Sequence, residues 1–280
     1  MAYQHHPAMR KQPRELCQLV RDYAGKLPDP GGAIWEPKHD GIRALWIDGE
    51  LRTRNGDIIH GADHIRDALA AIDRKLCRPT FIDGEFVVDG NFDATLDHFA
   101  ARGRAGDQGV LHVFDMLDMG TWRGDAVCPT LTARRRRIDD VIGGRGDDAV
   151  RPIVWGWAAD TADAERIARD VIGDGGEGII LKAPSAVYAR ERASSWIRIK
   201  RSELIRGRVI GAIPRRGNTD MLGALIVDVD GVQWTVAAGF SNDQRESLWR
   251  MPPIGRTAFI KIMQRTASGQ ARQARYVACE

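Results

Sequence analysis

The spacing of apolar residues changes at about residue 200, and this change restricts the possible folds more than any other feature of the sequence. Before it, short apolar runs bounded by Gly, Asp or Pro alternate with segments in which apolar residues recur at helical spacing. The runs predict strands at 33–37, 42–47, 81–88, 110–116 and 178–181. The segments predict helices at 14–23, 62–76, 131–142 and 162–172. Candidate N-caps are Thr130 and Asp160 or Thr161.

After Lys200 the apolar residues form short β-like segments separated by turn residues. They predict strands at 208–213, 224–229 and 233–238, then a helix at 243–249 and two further strands. About five strands and one helix are typical of an OB-fold β-barrel. The boundary is expected within 201–205, where the lack of a Pro/Gly/Ser-rich spacer predicts a short hinge. The predicted domains are therefore 1–202 and 203–280.

A chain of 280 residues, 43% hydrophobic and 28% charged, is long enough to bury a substantial core. The sequence has no apolar run of the length needed to cross a bilayer, and its start is polar, so neither a membrane protein nor an exported one is expected. Its four cysteines are widely separated and form no Cys-x-x-Cys pair, which argues against a zinc site and a disulfide framework. We therefore expect a cytoplasmic location, in the host if the source is viral.

The distribution of charge is more informative than the net charge of +3, because 41 Lys and Arg nearly balance 38 Asp and Glu. Basic residues cluster at 102–104, 134–137, 198–208 and 215–216. Any one cluster is explained by a solvated helix or loop face. Together, the clusters favour surface strips that contact a phosphate backbone.

The segment from Trp35 to Arg43 contains Lys-x-Asp-Gly-x-Arg between two predicted strands. One interpretation is structural, because Asp-Gly between apolar runs is a strong hairpin signal and a lysine beside it would simply be solvated. The other interpretation is chemical, with Lys38 as a nucleophile. An amine attacks only when it is neutral, so its pKa, ordinarily about 10.4, would have to be lowered by neighbouring cations or a bound metal.

Further short segments follow in order along the chain. They are Thr-Arg-Asn-Gly at 53–56, Phe-Ile-Asp-Gly-Glu-Phe at 81–86, Val-Phe-Asp at 113–115, Glu-Gly-Ile-Ile-Leu-Lys at 177–182 and Trp-Ile-Arg-Ile-Lys at 196–200. Singly, each has a structural explanation: Glu85 ends a hairpin, Phe114 is a core aromatic and Glu177 is a turn residue after two glycines. Their joint order favours a functional explanation.

In this order, the segments resemble the motifs of the covalent nucleotidyltransferase superfamily of DNA ligases, RNA ligases and mRNA capping enzymes, over residues 34–200. The sequence is most similar to the compact bacteriophage ATP-dependent DNA ligases, whose first motif, Glu-x-Lys-x-Asp-Gly-x-Arg, is matched from Glu36 to Arg43. Matching positions in the later motifs are Tyr188, Ser194, Trp196 and Lys200.

The resemblance implies an α+β fold, with an ATP-grasp-like adenylation (nucleotidyltransferase) domain followed by a small OB-fold β-barrel. It also implies a monomeric enzyme that uses ATP as a substrate. Such an enzyme seals 5′-phosphate/3′-hydroxyl nicks in duplex DNA through lysyl-AMP and adenylated DNA.

The resemblance also assigns roles to individual residues. Lys38 is expected to attack the α-phosphorus of ATP and to carry AMP. Glu85 and Glu177 are expected to bind Mg²⁺ or Mn²⁺, since hard cations prefer carboxylate oxygens. The residues expected to bind the nucleotide are Glu36, Arg43, Arg54, Glu85, Phe114, Lys182, Arg198 and Lys200. The last three would also supply cations that lower the pKa of the nucleophile.

The sequence departs from this family pattern in three places. Arg198 stands where the first of two motif V lysines is usual, and arginine keeps the charge but changes the geometry. Glu191 stands where the pattern has Gly. Residues 272–276 are only a partial counterpart of the final Arg-x-Asp-Lys motif.

Four alternatives to an ATP-dependent DNA ligase remain. An RNA ligase or a capping enzyme would use the same lysine chemistry, although the 177–200 stretch favours the DNA branch. A NAD-dependent ligase is disfavoured because only 37 residues precede Lys38 and no four-cysteine zinc pattern is present. A non-catalytic OB-type nucleic-acid-binding protein would require no lysine nucleophile beside carboxylates.

Overall fold

The protein folds into two compact units that divide between Ile199 and Lys200. The structure, a computed structural model, describes residues 16–144, 148–265 and 269–280. The first unit contains two five-stranded sheets, and the second contains one five-stranded sheet and a two-stranded one. Within the described residues, no helix combines the length and the apolar character that crossing a membrane requires.

The strands of the first unit match all five predicted strands and add others. They are β1 Leu19–Asp22, β2 Ala33–Pro37, β3 Ile42–Ile47, β4 Glu50–Thr53, β5 Thr80–Val87, β6 Val110–Asp118, β7 Val150–Pro152, β8 Gly156–Ala158, β9 Gly178–Lys182 and β10 Arg192–Lys200. One sheet has the order β1-β10-β9-β2-β8, and the other has the order β4-β3-β5-β6-β7.

The helices of the first unit that lie wholly within the described residues are α1 Asp63–Leu76, α2 Phe92–Ala101, α3 Met119–Arg123, α4 Leu131–Ile138 and α5 Thr161–Gly173. Two predicted N-caps are confirmed, since the side chains of Thr130 and Asp160 accept hydrogen bonds from the backbone N–H groups of Ala133 and Asp163. The predicted helix at 131–142 is α4 followed directly by a π-helix, Asp139–Gly143, in which the hydrogen-bond spacing widens.

The second sheet packs against α1. Ile65, Leu69 and Ile72 recur at helical spacing on one face of α1 and are fully buried. They share an apolar cluster with Phe86 of β5 and Met116 of β6. This packing holds β5 and β6 in position, and both strands carry residues with predicted functional roles.

The chain passes from the first sheet to the second in the short segment between β2 and β3. The Lys38 N–H donates a 2.8 Å hydrogen bond to the carbonyl of Gly178, next to the β2–β9 pairing. A Cβ on Gly41 would stand 2.4 Å from the carbonyl oxygen of Phe86, so the chain passes β5 at a distance that only glycine allows. The hairpin interpretation is therefore wrong, because β2 and β3 belong to different sheets.

The second unit is built on an antiparallel sheet with one helix. Its elements are β11 Glu203–Arg215, β12 Asn218–Val229, β13 Val232–Val236, α6 Asn242–Arg250, β14 Thr257–Ile262, β15 Gln264–Arg265, β16 Ala271–Arg272 and β17 Arg275–Cys279. The order of the main sheet is β13-β12-β11-β14-β17. The pairing does not form the closed barrel that was expected. A single parallel bridge, between Ala238 and Arg275, links the two edges of the sheet.

The expectation of a helix at 14–23 is wrong from Cys17 onward, although Leu16 is helical. Leu19–Asp22 is a strand that pairs in parallel with β10, with Asp22 opposite Arg198. Pairing with a distant strand therefore overrides the local helical pattern. Residues 14 and 15 lie outside the described residues.

Candidate active site

The predicted nucleophile lies beside a buried carboxylate. Lys38 follows β2, and Glu177 precedes β9, so the antiparallel pairing of these strands brings the two side chains together. The Lys38 Nζ forms an ion pair with the Glu177 carboxylate. The lysine side chain is 24% exposed and the glutamate side chain 6% exposed. The amine thus remains open to solvent on one side while its partner is enclosed.

A second carboxylate approaches from the other sheet. Glu85 lies opposite Arg43 of β3 and His112 of β6, which places the three residues in one row on one face of the sheet. Burial raises the pKa of Glu85 to about 7, although the charges of Lys38 and Arg43 oppose this shift. Lys38 therefore lies near carboxylates from both sheets.

The two carboxylates fit a divalent metal that a substrate helps to bind. Within the described residues, no group of three or more His, Cys, Asp or Glu is placed to hold a metal ion by itself. Magnesium usually retains several waters and binds through one or two carboxylates together with substrate phosphates. Glu85 and Glu177 could supply that number of ligands, and their binding of a metal stays a prediction.

A fully buried ionic cluster lies next to this pair. Glu36 on β2 accepts from Lys182 on β9 at 2.6 Å and from Arg135 on α4 at 3.0 Å. All three side chains are at most 2% exposed. Burial lowers the pKa of Lys182, and the charge of Glu36 opposes this. One carboxylate therefore holds two cations in the interior, an arrangement that is seldom kept for stability alone.

Aromatic rings line the same region. The Lys182 Nζ lies 4.0 Å from the ring centroid of Trp196 and 4.7 Å from that of Phe114. The Arg43 guanidinium lies 5.2 Å from the Phe114 centroid and pairs with the buried carboxylate of Asp83. Phe114 is thus flanked by two cations and remains partly exposed. Stacking of Phe114 on a purine stays a prediction.

Two buried donors in this region have no hydrogen-bond partner within the described residues. They are the Nε of Arg135 and the Nε1 of Trp196. Unpaired buried donors are uncommon in folded proteins, because each costs about 1–3 kcal/mol. The region therefore fits a polar ligand such as ATP, which would bring acceptor atoms.

Two histidines beside Lys38 were not singled out from the sequence. The rings of His39 and His112 stack with their centroids 4.1 Å apart. Burial and the Lys38 charge lower the pKa of His39, and burial and His39 lower the pKa of His112 to about 4. Both rings are therefore neutral at pH 7 and add no positive charge beside the lysine. Only the pairing of β5 and β6 brings His112 here, and no sequence spacing reveals it.

Two predicted nucleotide-binding residues make contacts with other partners, and a third, Arg54, is exposed in the turn after β4. Arg198 pairs with Asp22 of β1 at 2.6 Å. Lys200 belongs to the second unit and donates to Gln273 at 2.5 Å. The side chain of Arg272 in the partial final motif lies outside the described residues. Nucleotide contacts by these residues stay predictions.

The basic cluster at 134–137 is not the surface strip that was expected. Arg134 and Arg135 are each 1% exposed and pair with Asp115 and Glu36. The sequence carried a signal for this, because both arginines lie three or four residues from Leu131 and Ile138 and so share the buried face of α4. The signal was missed because a run of four arginines suggests a solvated face.

Comparisons with known proteins agree with this architecture. Residues 15–200 match the ATP dependent DNA ligase domain, and residues 216–279 match the DNA ligase OB-like domain. A DNA ligase of Haemophilus influenzae is 25% identical over 257 residues, which cover 88% of this chain and 85% of the relative. A DNA ligase of Natronomonas pharaonis is 28% identical over 256 residues, which cover 82% of this chain but 45% of the relative. This chain thus spans under half the length of the archaeal relative.

Solved structures share the fold. A structure from an analysis of Lig E DNA ligases has a TM-score of 0.76 at 23% identity and covers 94% of this chain and 98% of that one. An ATP-dependent DNA ligase from bacteriophage T7, in complex with ATP, has a TM-score of 0.57 at 16% identity. The match covers 95% of this chain and 99% of the bacteriophage chain. Since the first domain match spans most of the chain, this protein belongs to the ATP-dependent DNA ligase domain family.

Proposed function

We propose that this protein is an ATP-dependent DNA ligase that seals 5′-phosphate/3′-hydroxyl nicks in duplex DNA. The observation that carries the proposal is the placement of the Lys38 amine against Glu177 and near the partly buried Glu85, at the junction of two sheets. A purely binding protein needs no such lysine. Membership in the ligase family supports the same chemistry.

The first step is transfer of AMP to the protein. The Lys38 Nζ attacks the α-phosphorus of ATP, an N–P bond forms, and the bond to the bridging oxygen breaks as pyrophosphate leaves. The attacking amine must lose a proton. The Glu177 carboxylate, already its hydrogen-bond acceptor, is placed to receive that proton.

The protein's contribution to this step is positioning and charge. In our proposal, Lys182 and Arg43 face the nucleotide beside Phe114, and Glu36 orients Lys182. Mg²⁺ or Mn²⁺, held by Glu85, Glu177 and the phosphates, would supply positive charge to the phosphate oxygens. Arg54, Arg198 and Lys200 would bind the nucleotide only if their side chains leave their present positions.

Two further transfers complete sealing. AMP passes from the lysine to the 5′-phosphate of the nick, and the adjacent 3′-hydroxyl then displaces AMP to join the strand. We assign the first transfer to an adenylation domain, 1–202, and clamping of the duplex to an OB-fold domain, 203–280. Exposed basic residues suited to that clamping are Arg206, Arg208, Arg215 and Arg216. We further propose that the enzyme acts as a cytoplasmic monomer.

A sealing assay tests the proposal. Nicked duplex DNA and nicked duplex RNA are incubated with ATP, GTP or NAD in turn, with Mg²⁺ present. Sealing of DNA with ATP alone is the expected result. Faster sealing of RNA would move the protein to the RNA ligase branch, and sealing with NAD would contradict the ATP assignment. Absence of any AMP transfer would favour a non-catalytic nucleic-acid-binding protein.

A further inference from the structure

A cleft of about 570 Å³ lies in the first unit, between the segment before α1 and the loop from α2 to β6. None of its lining residues has a role in the proposed adenylation site. Its charged lining residues are His60, Asp63, Arg66, Arg102, Arg104 and Asp107. Arginine is the side chain best suited to bind phosphate oxygens.

The carboxylates in the cleft are already engaged, and two of its arginines are not. Asp63 forms an ion pair with Arg66, and the Asp107 carboxylate accepts a 2.8 Å hydrogen bond from the Asp63 N–H. The side chains of Arg102 and Arg104 are exposed and make no hydrogen bond or ion pair with any residue that the structure describes. The cleft therefore presents two guanidinium groups to an incoming anion.

The two walls of the cleft are linked. The Gln108 N–H donates to the Gly61 carbonyl at 3.2 Å, and the Asp63–Asp107 hydrogen bond forms a second link. Gly61 has φ +68°, and a Cβ there would stand 2.7 Å from the carbonyl oxygen of Gly106. The segments thus approach each other so closely that only glycine fits, and the cleft is formed before any ligand binds.

A buried histidine faces the same place without a partner. His98 is 3% exposed, and within the described residues neither of its ring nitrogens has a hydrogen-bond partner. Its Nε2 lies 3.0 Å from the position that a Gly61 Cβ would occupy. A buried imidazole that lacks a partner is uncommon, and this one lies directly behind the glycine that links the two walls of the cleft.

The first turn of α1 adds an electrostatic field that favours anions. Ala62 at the N-cap makes no side-chain capping hydrogen bond, and α1 is 14 residues long. The N-terminus of a helix attracts anions through its free N–H groups and its dipole. The cleft therefore combines a helix end with two unengaged arginines, and the unpartnered His98 lies behind its wall at Gly61.

The cleft lies at the same end of the second sheet as the lysine. Gly41, in the Lys38 segment, and Gly109, beside the cleft, both pack against Phe86 and Val87 at the end of β5. Phe86 also contacts His98, with ring centroids 5.5 Å apart. A duplex whose nick lies at Lys38 would therefore run toward this end of the sheet.

We propose that the cleft of Arg102 and Arg104 binds a backbone phosphate of the DNA duplex, outside the nucleotide site. This inference rests on the proposed ligase function for its ligand. The phosphate contact positions the duplex without reading its sequence.

The salt dependence of DNA binding tests the proposal. The Kd for nicked duplex DNA is measured at several salt concentrations for the wild type and for Arg102→Ala/Arg104→Ala. Loss of this one phosphate contact should reduce the slope of log Kd against log salt by about 0.9, which is the contribution of a single neutralised phosphate. We also expect binding to weaken about tenfold at physiological salt. Arg102→Lys/Arg104→Lys should retain most of the slope.

The matched control is Arg74→Ala/Lys75→Ala. This control removes the same amount of charge from exposed positions in the last turn of α1, the helix whose first turn borders the cleft. An equal change in this control would overturn the proposal, since the effect would then come from net charge. An unchanged slope in Arg102→Ala/Arg104→Ala would overturn it as well.

Two parallel measurements separate the possible failures. Lysyl-AMP formation by the wild type is followed in the same preparation. If the adduct forms but the slope is unchanged, only the cleft assignment fails; if no adduct forms, the ligase proposal fails. Titration with inorganic phosphate alone forms the second arm. Phosphate binding that Arg102→Ala/Arg104→Ala abolishes, with an unchanged DNA slope, would identify a site for a free anion and overturn the DNA assignment.

Discussion

The two units bury different kinds of residues. Every polar or charged residue that is buried in the described chain lies in the first unit: Gln18, Glu36, Thr53, Thr80, Asp83, Thr95, His98, Asp115, Arg134, Arg135 and Lys182. The buried cluster of the second unit is apolar or aromatic, with Leu225, Val227 and Trp234 among its members. The second unit instead keeps its charges at the surface, as at Arg206 and Arg215.

This difference indicates where chemistry takes place. Removing a charge from water carries a penalty that pairing often only balances, so a buried ionic cluster adds little net stability compared with an apolar core. The buried cluster of Glu36, Lys182 and Arg135 is therefore consistent with the ligand-binding role proposed for this region. The second unit gains stability from burial of apolar surface.

The largest expected effect is at Lys182. Lys182→Met leaves Glu36 with one of its two cations, and breaking a buried pair usually destabilises a protein by about 3–5 kcal/mol. We expect that loss in urea unfolding followed by tryptophan fluorescence, together with loss of the AMP adduct. Glu36→Gln/Lys182→Met should recover most of the stability and remain inactive. If Lys182→Met lowered the free energy of unfolding by less than about 1 kcal/mol, the buried ion pairs of the first unit would be no stronger than exposed ones, and the contrast between the units would not hold.

Substitutions in the apolar core of the second unit should change its stability only through the side-chain volume that they remove. Leu225 on β12 is fully buried and lies opposite Val236 of β13. Leu225→Ala should lower the free energy of unfolding of the second unit by about 2–5 kcal/mol through the transfer and cavity terms. Leu225→Met, which conserves volume, should cost less than about 1.5 kcal/mol. Equal losses in the two variants, measured by urea unfolding, would contradict an apolar, tightly packed core.

A smaller effect concerns pH. Glu85 has a pKa of about 7, raised by burial, so below pH 7 it is mostly neutral and a poor metal ligand. The apparent affinity for Mg²⁺ in adduct formation should therefore fall about tenfold per pH unit below 7 and level off above it. The Glu85→Gln variant should lose this dependence. A wild-type metal affinity that stays flat between pH 6 and 7, or rises as pH falls, would refute the role of Glu85.

The smallest effect is expected at a surface ion pair of the second unit. Arg250 pairs with Glu246 one turn earlier on α6, and the two side chains are 74% and 50% exposed. Arg250→Met should change the free energy of unfolding by no more than about 0.5 kcal/mol, because water and salt screen exposed pairs. Urea unfolding at two salt concentrations measures this. A loss of about 3–5 kcal/mol, as expected for Lys182→Met, would show that the exposure of an ion pair does not explain the difference between the two units.

The predicted strands and helices were accurate where the sequence pattern is strong and local. The strands at 33–37 and 42–47 and the caps at Thr130 and Asp160 follow from alternation and capping chemistry. Elements that depend on distant pairing were missed, as at Leu19–Asp22. The helix Phe92–Ala101 was also missed, although Asn91 caps it.

The sequence indicated the candidate site residues that lie in motifs. It did not indicate the residues that contact them only after folding. Lys38, Glu85 and Glu177 lie in motifs that the sequence displays, and the structure brings them together. Arg135 and His112 reach the site only through the packing of α4 and the pairing of β6. Helical spacing indicates that Arg135 is buried but not that it contacts Glu36, and no spacing indicates His112. The β-barrel was expected from the number of strands and from the family resemblance, and neither determines whether the strands of this chain pair into a closed sheet.

Direct detection of the AMP-carrying residue tests the central claim best. The protein is incubated with ATP and Mg²⁺, then digested, and the peptides are analysed by mass spectrometry. We expect one AMP on the peptide that contains Lys38, joined through the side-chain nitrogen, and none in Lys38→Arg. An adduct on another residue, or one that persists in Lys38→Arg, would contradict the account.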